Sequence, residues 1–125
     1  MHARYRSGLA SYRRGIAAED AACAALITDG WTILARRLRT KAGEVDAVAE
    51  RGGILAIIEV KARPTLAAAA IALTDRQRTR LLGACDIILG EHPDWGPNGV
   101  RFDIIVVDLV GRVRRIADAF RGGYP

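Results

Sequence analysis

Cysteine and histidine are scarce in this 125-residue sequence, two of each, and their positions exclude several chemistries. Cys23 and Cys85 stand alone, with no CxxC and no paired spacing. Neither a disulfide framework nor a zinc ribbon is supported, and both read as small core residues. His2 and His92 have no ligand cluster around them, which argues against a histidine zinc site, a Ser-His-Asp triad and a Cys-His pair. No run approaches the roughly 18 to 20 uninterrupted apolar residues of a membrane span. The basic start "MHARYRSGLASYRRG" lacks the apolar centre of a signal peptide, so a cytoplasmic protein without membrane contact is expected. Lysine is scarce as well: Lys41 and Lys61 are the only two, in a chain that otherwise takes its positive charge from arginine.

What is present fits one compact domain over residues 1–125, half hydrophobic and long enough for a real core. The net charge is +5, and the arginines cluster at 4/6/13/14, 36/37/39, 76/78/80 and 112/114/115. Such clusters suit a phosphate backbone, although a solvated surface is their plain alternative.

From Ser7 to Asp29, apolar residues recur at helical spacing and Gly30 is placed to stop the helix. "WTILARRLR" then has strand composition, and "TKAGE" turns into "VDAVAE". Arg51-Gly52-Gly53 turns into "ILAIIEVK", completing a hairpin. The alanine-rich stretch 66–73 reads equally as a short helix or an ordered loop. Thr74 opens a helix with Leu81, Leu82, Cys85, Ile88 and Leu89 as its apolar stripe, closed by Gly90 and Pro93. A loop through "EHPDWGPNG", a strand "VRFDIIVVDL", a tight turn at Val110-Gly111-Arg112 and a last strand near 112–118 complete the chain. The order α, β, β, β, α, β, β predicts a mixed α/β domain, its sheet flanked by helices.

The residues that resist a purely structural reading lie in the hairpin. Leu55, Ile57, Glu59 and Lys61 share one face of their strand, so an acid and a lysine stand side by side where the run is otherwise apolar. Antiparallel pairing brings Asp46 towards Glu59. Two carboxylates can bind a hard divalent cation, and Mg²⁺ is commonly held by one or two carboxylates plus water and substrate phosphate. A lysine beside them can orient or deprotonate the water that attacks a phosphodiester. Arginine does not lose its proton near neutral pH, which gives the rare lysine a reason to be there. The plain alternative is a salt bridge between Lys61 and Glu59.

Asp46, twelve intervening residues and then Glu59-x-Lys61 resembles the D-x(n)-E-x-K core of the PD-(D/E)xK nucleases, which include restriction enzymes and archaeal Holliday-junction resolvases. "GIAAEDAA", "GEVDAVAE", "IIEVKAR" and "VRFDIIVV", in this order and spacing, resemble the small bacterial YraN-like family of predicted endonucleases over about residues 15–107. The resemblance implies a restriction-endonuclease-like fold and Asp46, Glu59 and Lys61 as catalytic residues. It also implies Mg²⁺ or Mn²⁺ on Asp46 and Glu59, with Glu19 joining the metal site by similarity to the resolvases. DNA is the implied substrate, branched DNA by analogy with the resolvases, and a homodimer follows by analogy with enzymes that cut both strands of a junction.

The residues themselves agree in part, since the helical stripe turns one acid of Glu19-Asp20 inward. The structural alternative for Glu19 is a boundary ion pair to Arg39. Glu44 belongs to the family pattern, yet its plain reading is an exposed turn acid. Gln77 stands where similar sequences tend to carry a lysine, and it joins the catalytic set on that basis, with Arg76 or Arg78 able to supply the missing charge. Thr74-x-x-Gln77 is also a capping box. Arg101 and Asp103 read as a structural pair, and Trp95 as packing over the sheet edge in preference to stacking on a base. The alternative function is a nucleic-acid-binding or assembly protein that keeps the nuclease fold without turnover.

Overall fold

The computed structural model describes residues 2–66 and 73–120, with the backbone alone for 2–12 and 14. Among the described residues, two helices and five strands follow in the expected order: α1 (His2–Thr28), β1 (Thr32–Thr40), β2 (Gly43–Arg51), β3 (Ile54–Ala62), α2 (Asp75–Glu91), β4 (Gly99–Val107) and β5 (Val113–Phe120). The alanine-rich stretch falls almost wholly outside the described residues.

The strands form one sheet in the order β1-β2-β3-β4-β5. Every neighbouring pair is antiparallel except β3 and β4, which run parallel. A parallel pair needs a crossover, and α2 supplies it. The hairpin between β2 and β3 turns on Gly52 and Gly53, both at positive φ (59° and 76°), as a two-residue turn matching strand twist requires.

The two helices take opposite faces, for a reason visible in side-chain size. On one face Ala47, Ala49, Ala56 and Ile58 meet Ala18, Ala22, Cys23 and Leu26 of α1, so small residues let helix and sheet approach closely. On the other, Leu55, Ile57, Phe102 and Ile104 pack against Leu81, Ala84, Cys85 and Ile88 of α2. Both cysteines are buried and free. Alternation along β3 puts Glu59 and Lys61 on the α2 side, in line with Leu55 and Ile57. This mixed α/β sheet flanked by helices is consistent with the restriction-endonuclease-like arrangement expected.

Several boundaries differ from expectation. The first helix starts at His2 instead of Ser7, and α2 runs past Gly90 to Glu91, capped at His92 by an N–H donated to the Ile88 carbonyl at 2.8 Å. Gly90 therefore does not stop the helix; the cap and Pro93 do. β4 ends at Val107, two residues short of the apolar run, because Asp108 turns the chain. His92 stacks on Trp95 at 3.7 Å, and Trp95 packs against the α2-side core as expected.

Arg101 and Asp103 pair at 3.1 Å, and Arg115 adds a second contact to the same buried carboxylate at 2.6 Å. The guanidiniums of Arg51, Arg101 and Arg115 lie 4.6–5.2 Å from the ring centre of buried Trp31. This end of the α1 face is thus an ionic and cation–π cluster that fixes the sheet.

Candidate active site

β2 and β3 are paired from Arg51↔Ile54 to Ala47↔Ile58, and there the ladder stops. The next step would pair Asp46 with Glu59. Instead, Asp46 Oδ2 accepts the N–H of Val60 at 2.8 Å, so a side chain replaces the backbone partner and the strands part around it. Alternation in β2 breaks at the same place: Val45 packs into the α2-side core, whereas Ala47 packs under α1. The Asp46 carboxyl therefore sits in the gap between two strands, where it meets Glu59.

Burial, followed by the hydrogen bond to Glu59 and that residue's negative charge, pushes the Asp46 carboxyl up to about 7. The Val60 N–H and the charge of Arg80 pull the other way and are outweighed. A carboxyl raised this far keeps its proton well above the usual carboxylate range, where it can donate a hydrogen bond to Glu59. Two acids that cannot both ionise freely are a recurring mark of a functional site.

Glu59 is buried on the α2 side and accepts a charged hydrogen bond from Arg80 Nη2. Arg80 was not expected here. Arg76 and Arg78 were the candidates to supply positive charge, but Arg76 is exposed and Arg78 pairs with Asp75. Arg80 lies one helical turn beyond Gln77, so the i+3 spacing was the available signal. Its stem runs against Gly43, where a Cβ would come within 2.5 Å of Arg80 Cγ. Arg80 Nε is buried without a hydrogen-bond partner.

Lys61 follows Glu59 on the same face and forms no ion pair among the described residues, so the salt bridge considered for Lys61 and Glu59 is replaced by one from Arg80. Gln77 completes the capping box: its Oε1 accepts the Thr74 N–H at 2.9 Å, and Thr74 Oγ1 accepts the Gln77 N–H at 3.1 Å. Gln77 also lines an open cavity beside Arg76 and Arg80.

Glu19 is the inward acid of its pair, while Asp20 binds Arg36 on the surface. Glu19 and Asp46 line a cleft of about 450 Å³ whose other walls include Arg37, Arg39 and Glu44. Within it, Glu19 is held by Arg37 at 2.7 Å and not by Arg39. Arg37 adopts φ 51°, an irregularity of β1 that sequence spacing does not reveal. Arg39 faces Glu44 at 3.6 Å, leaving Glu44 as the exposed acid expected.

The donor set suits a hard cation on Asp46 and Glu59, since a divalent ion between two neighbouring carboxylates offsets the repulsion that raises Asp46. Glu19 reaches the same cleft as Asp46 but is engaged with Arg37. Among the described residues, no three side chains of His, Cys, Asp or Glu are gathered closely enough for one ion.

Residues 18–107 match the model of "Uncharacterised protein family UPF0102". The chain belongs to this family. The matched span contains Glu19, the Asp46–Glu59 pair, Lys61, Gln77 and Arg80. A UPF0102 protein of Granulibacter bethesdensis is 60% identical over 93% of this chain and 73% of its own length. Others from Azorhizobium caulinodans and Parvibaculum lavamentivorans are 46% and 44% identical, over 89% and 92% of this chain and 85% and 86% of theirs. Membership in the YraN-like group expected from the four sequence blocks is thereby established, and UPF0102 is its name.

Proposed function

We propose that this UPF0102 member is a divalent-metal-dependent endonuclease that hydrolyses DNA phosphodiester bonds, with branched or junction DNA as its preferred class. The observation that carries the reading is the Asp46–Glu59 carboxyl pair in the gap between β2 and β3, followed two residues later by Lys61, which forms no ion pair among the described residues. Its place in the PD-(D/E)xK superfamily and its similarity to junction resolvases rest on this D…E-x-K set together with the mixed sheet that carries it.

In this mechanism Asp46 and Glu59 would hold Mg²⁺ or Mn²⁺, with Glu19 joining them once released by Arg37. Such an ion would supply charge stabilisation at the phosphate. Lys61 orients the attacking water from the Glu59 side, and Val60 N–H fixes the Asp46 carboxyl in the gap. A homodimer suits a junction, which has two strands to cut, and a cytoplasmic setting suits a DNA substrate. No described helix is long and apolar enough to cross a membrane.

The test is cleavage of labelled single-stranded, duplex, flapped and four-way DNA in Mg²⁺ or Mn²⁺ by wild type, Asp46→Asn and Lys61→Ala. Metal-dependent cutting by wild type is expected, reduced in each variant by at least about 100-fold. Equal activity in all three would reject the assignment.

One observation favours a second reading, a nucleic-acid-binding or assembly protein without turnover: Arg80 already supplies Glu59 with a positive partner. That reading predicts DNA binding unchanged by Asp46→Asn and no Mn²⁺ uptake in calorimetry.

A further inference from the structure

Beyond β4 the chain reverses through residues 108–112. The buried Asp108 carboxylate accepts the Val110 N–H at 3.0 Å and the Arg112 N–H at 2.8 Å on one oxygen, and Arg112 Nε at 2.6 Å on the other. The Asp108 N–H donates to the Arg112 carbonyl at 3.0 Å. A turn tied this closely is stiff. Its tip nevertheless carries Leu109 and Val110, which are 72% and 78% exposed, two of the three exposed large hydrophobics among the described residues. Scattered single apolar residues need no explanation, but an adjacent pair on a braced tip does.

The surroundings are cationic. The β3–β4–β5 register aligns Lys61, Val106 and Arg114 in one row across the sheet, and Arg63 follows at the end of β3. None of Lys61, Arg63 and Arg114 forms an ion pair among the described residues. At about 3.3 Å per residue the tip stands roughly 10 Å beyond that row. Leu109 also lines a cleft of about 410 Å³ that shares Ala18 and Ala62 with the cleft holding Glu19 and Asp46.

An apolar point flanked by cations that lack an acidic partner among the described residues matches a nucleic acid, whose phosphates take the charges while its bases accept an apolar wedge. We propose that the Leu109–Val110 tip is such a wedge, entering between bases at a branch point while the backbone lies on Lys61, Arg63 and Arg114. This rests on the DNA-acting reading and adds how a branched substrate is told from a linear one. Unstacking is least costly where the bases are already loosened, so the wedge favours junctions over intact duplex.

The test uses a four-way DNA junction with 2-aminopurine next to the branch point, in chelator, with wild type beside Leu109→Ser combined with Val110→Ser. Both positions are largely in solvent, so the fold is not at stake. Wild type is expected to raise the probe fluorescence. The double variant is expected to lose that rise and bind the junction about tenfold more weakly, while linear duplex binding stays within about twofold. An equal rise with both proteins would overturn the wedge alone, provided that Asp46-dependent cleavage persists. A wild-type self-association lost in the double variant, with junction binding unchanged, would reassign the tip to a contact between copies and also overturn it. Wild type that binds no DNA would remove the proposed function and the wedge together.

Discussion

At the scale of single residues, Asp46 links the site to folding stability. Its carboxyl titrates near 7 in the folded protein and near its ordinary 3.8 when unfolded. Between those values the folded state holds a proton that the unfolded state has released. Stability of the metal-free protein therefore falls as pH rises through this window, by up to about 1.4 kcal/mol per pH unit. Asp46→Asn removes the titration while keeping the geometry, since an amide can accept the Val60 N–H and donate to Glu59. Denaturant unfolding without metal should show wild type losing stability from pH 5 to pH 8 and Asp46→Asn losing much less. Mn²⁺ should restore the wild type at pH 8 and leave the variant nearly unaffected. Parallel pH profiles would mean that the fold does not raise the Asp46 carboxyl.

At the scale of elements, α2 serves both packing and the site, and its first turn separates the two roles of Gln77. Thr74→Ala and Gln77→Ala each remove one half of the reciprocal cap, and each should lower stability by about 1 kcal/mol in thermal unfolding. Cleavage that falls with Gln77→Ala but not with Thr74→Ala would give the Gln77 amide a role on phosphate beyond the cap. Spacing alone made that cap legible, as it did the burial of Leu81, Cys85 and Ile88 and the Gly52-Gly53 hairpin. The approach of Asp46 to Glu59 was legible as well, because antiparallel pairing fixes which ends meet. What spacing could not show was the loss of the ladder at Asp46, since a side chain taking a backbone N–H leaves no mark in hydrophobic periodicity. The partners of Glu19 and Glu59 were hidden for a related reason. Which of several nearby arginines reaches a carboxylate depends on local backbone detail, such as the φ of Arg37 and the bare Gly43 beside Arg80.

For the whole molecule, net charge overstates what is available to a polyanion. In the cluster at 36/37/39, every arginine faces an acid: Asp20, Glu19 and Glu44. In the cluster at 112/114/115, Arg112 is bound to Asp108 and Arg115 to buried Asp103, leaving Arg114. Composition cannot distinguish these cases, because an arginine paired in the fold counts the same as a free one. Arg114, Arg63 and Lys61 lie where β3 and β4 end and β5 begins, on the side of the sheet end that carries Glu59. DNA binding should therefore weaken with salt as phosphate contacts release counterions, and the slope should depend on these few side chains. Arg63→Gln combined with Arg114→Gln is expected to reduce the slope of log K against log salt by about 2 in fluorescence anisotropy. Arg36→Gln, which removes a guanidinium already bound to Asp20, should leave the slope nearly unchanged. Equal losses from both changes would mean that overall charge, rather than this end of the sheet, attracts DNA. Binding independent of salt in the wild type would point instead to a partner that is not a nucleic acid.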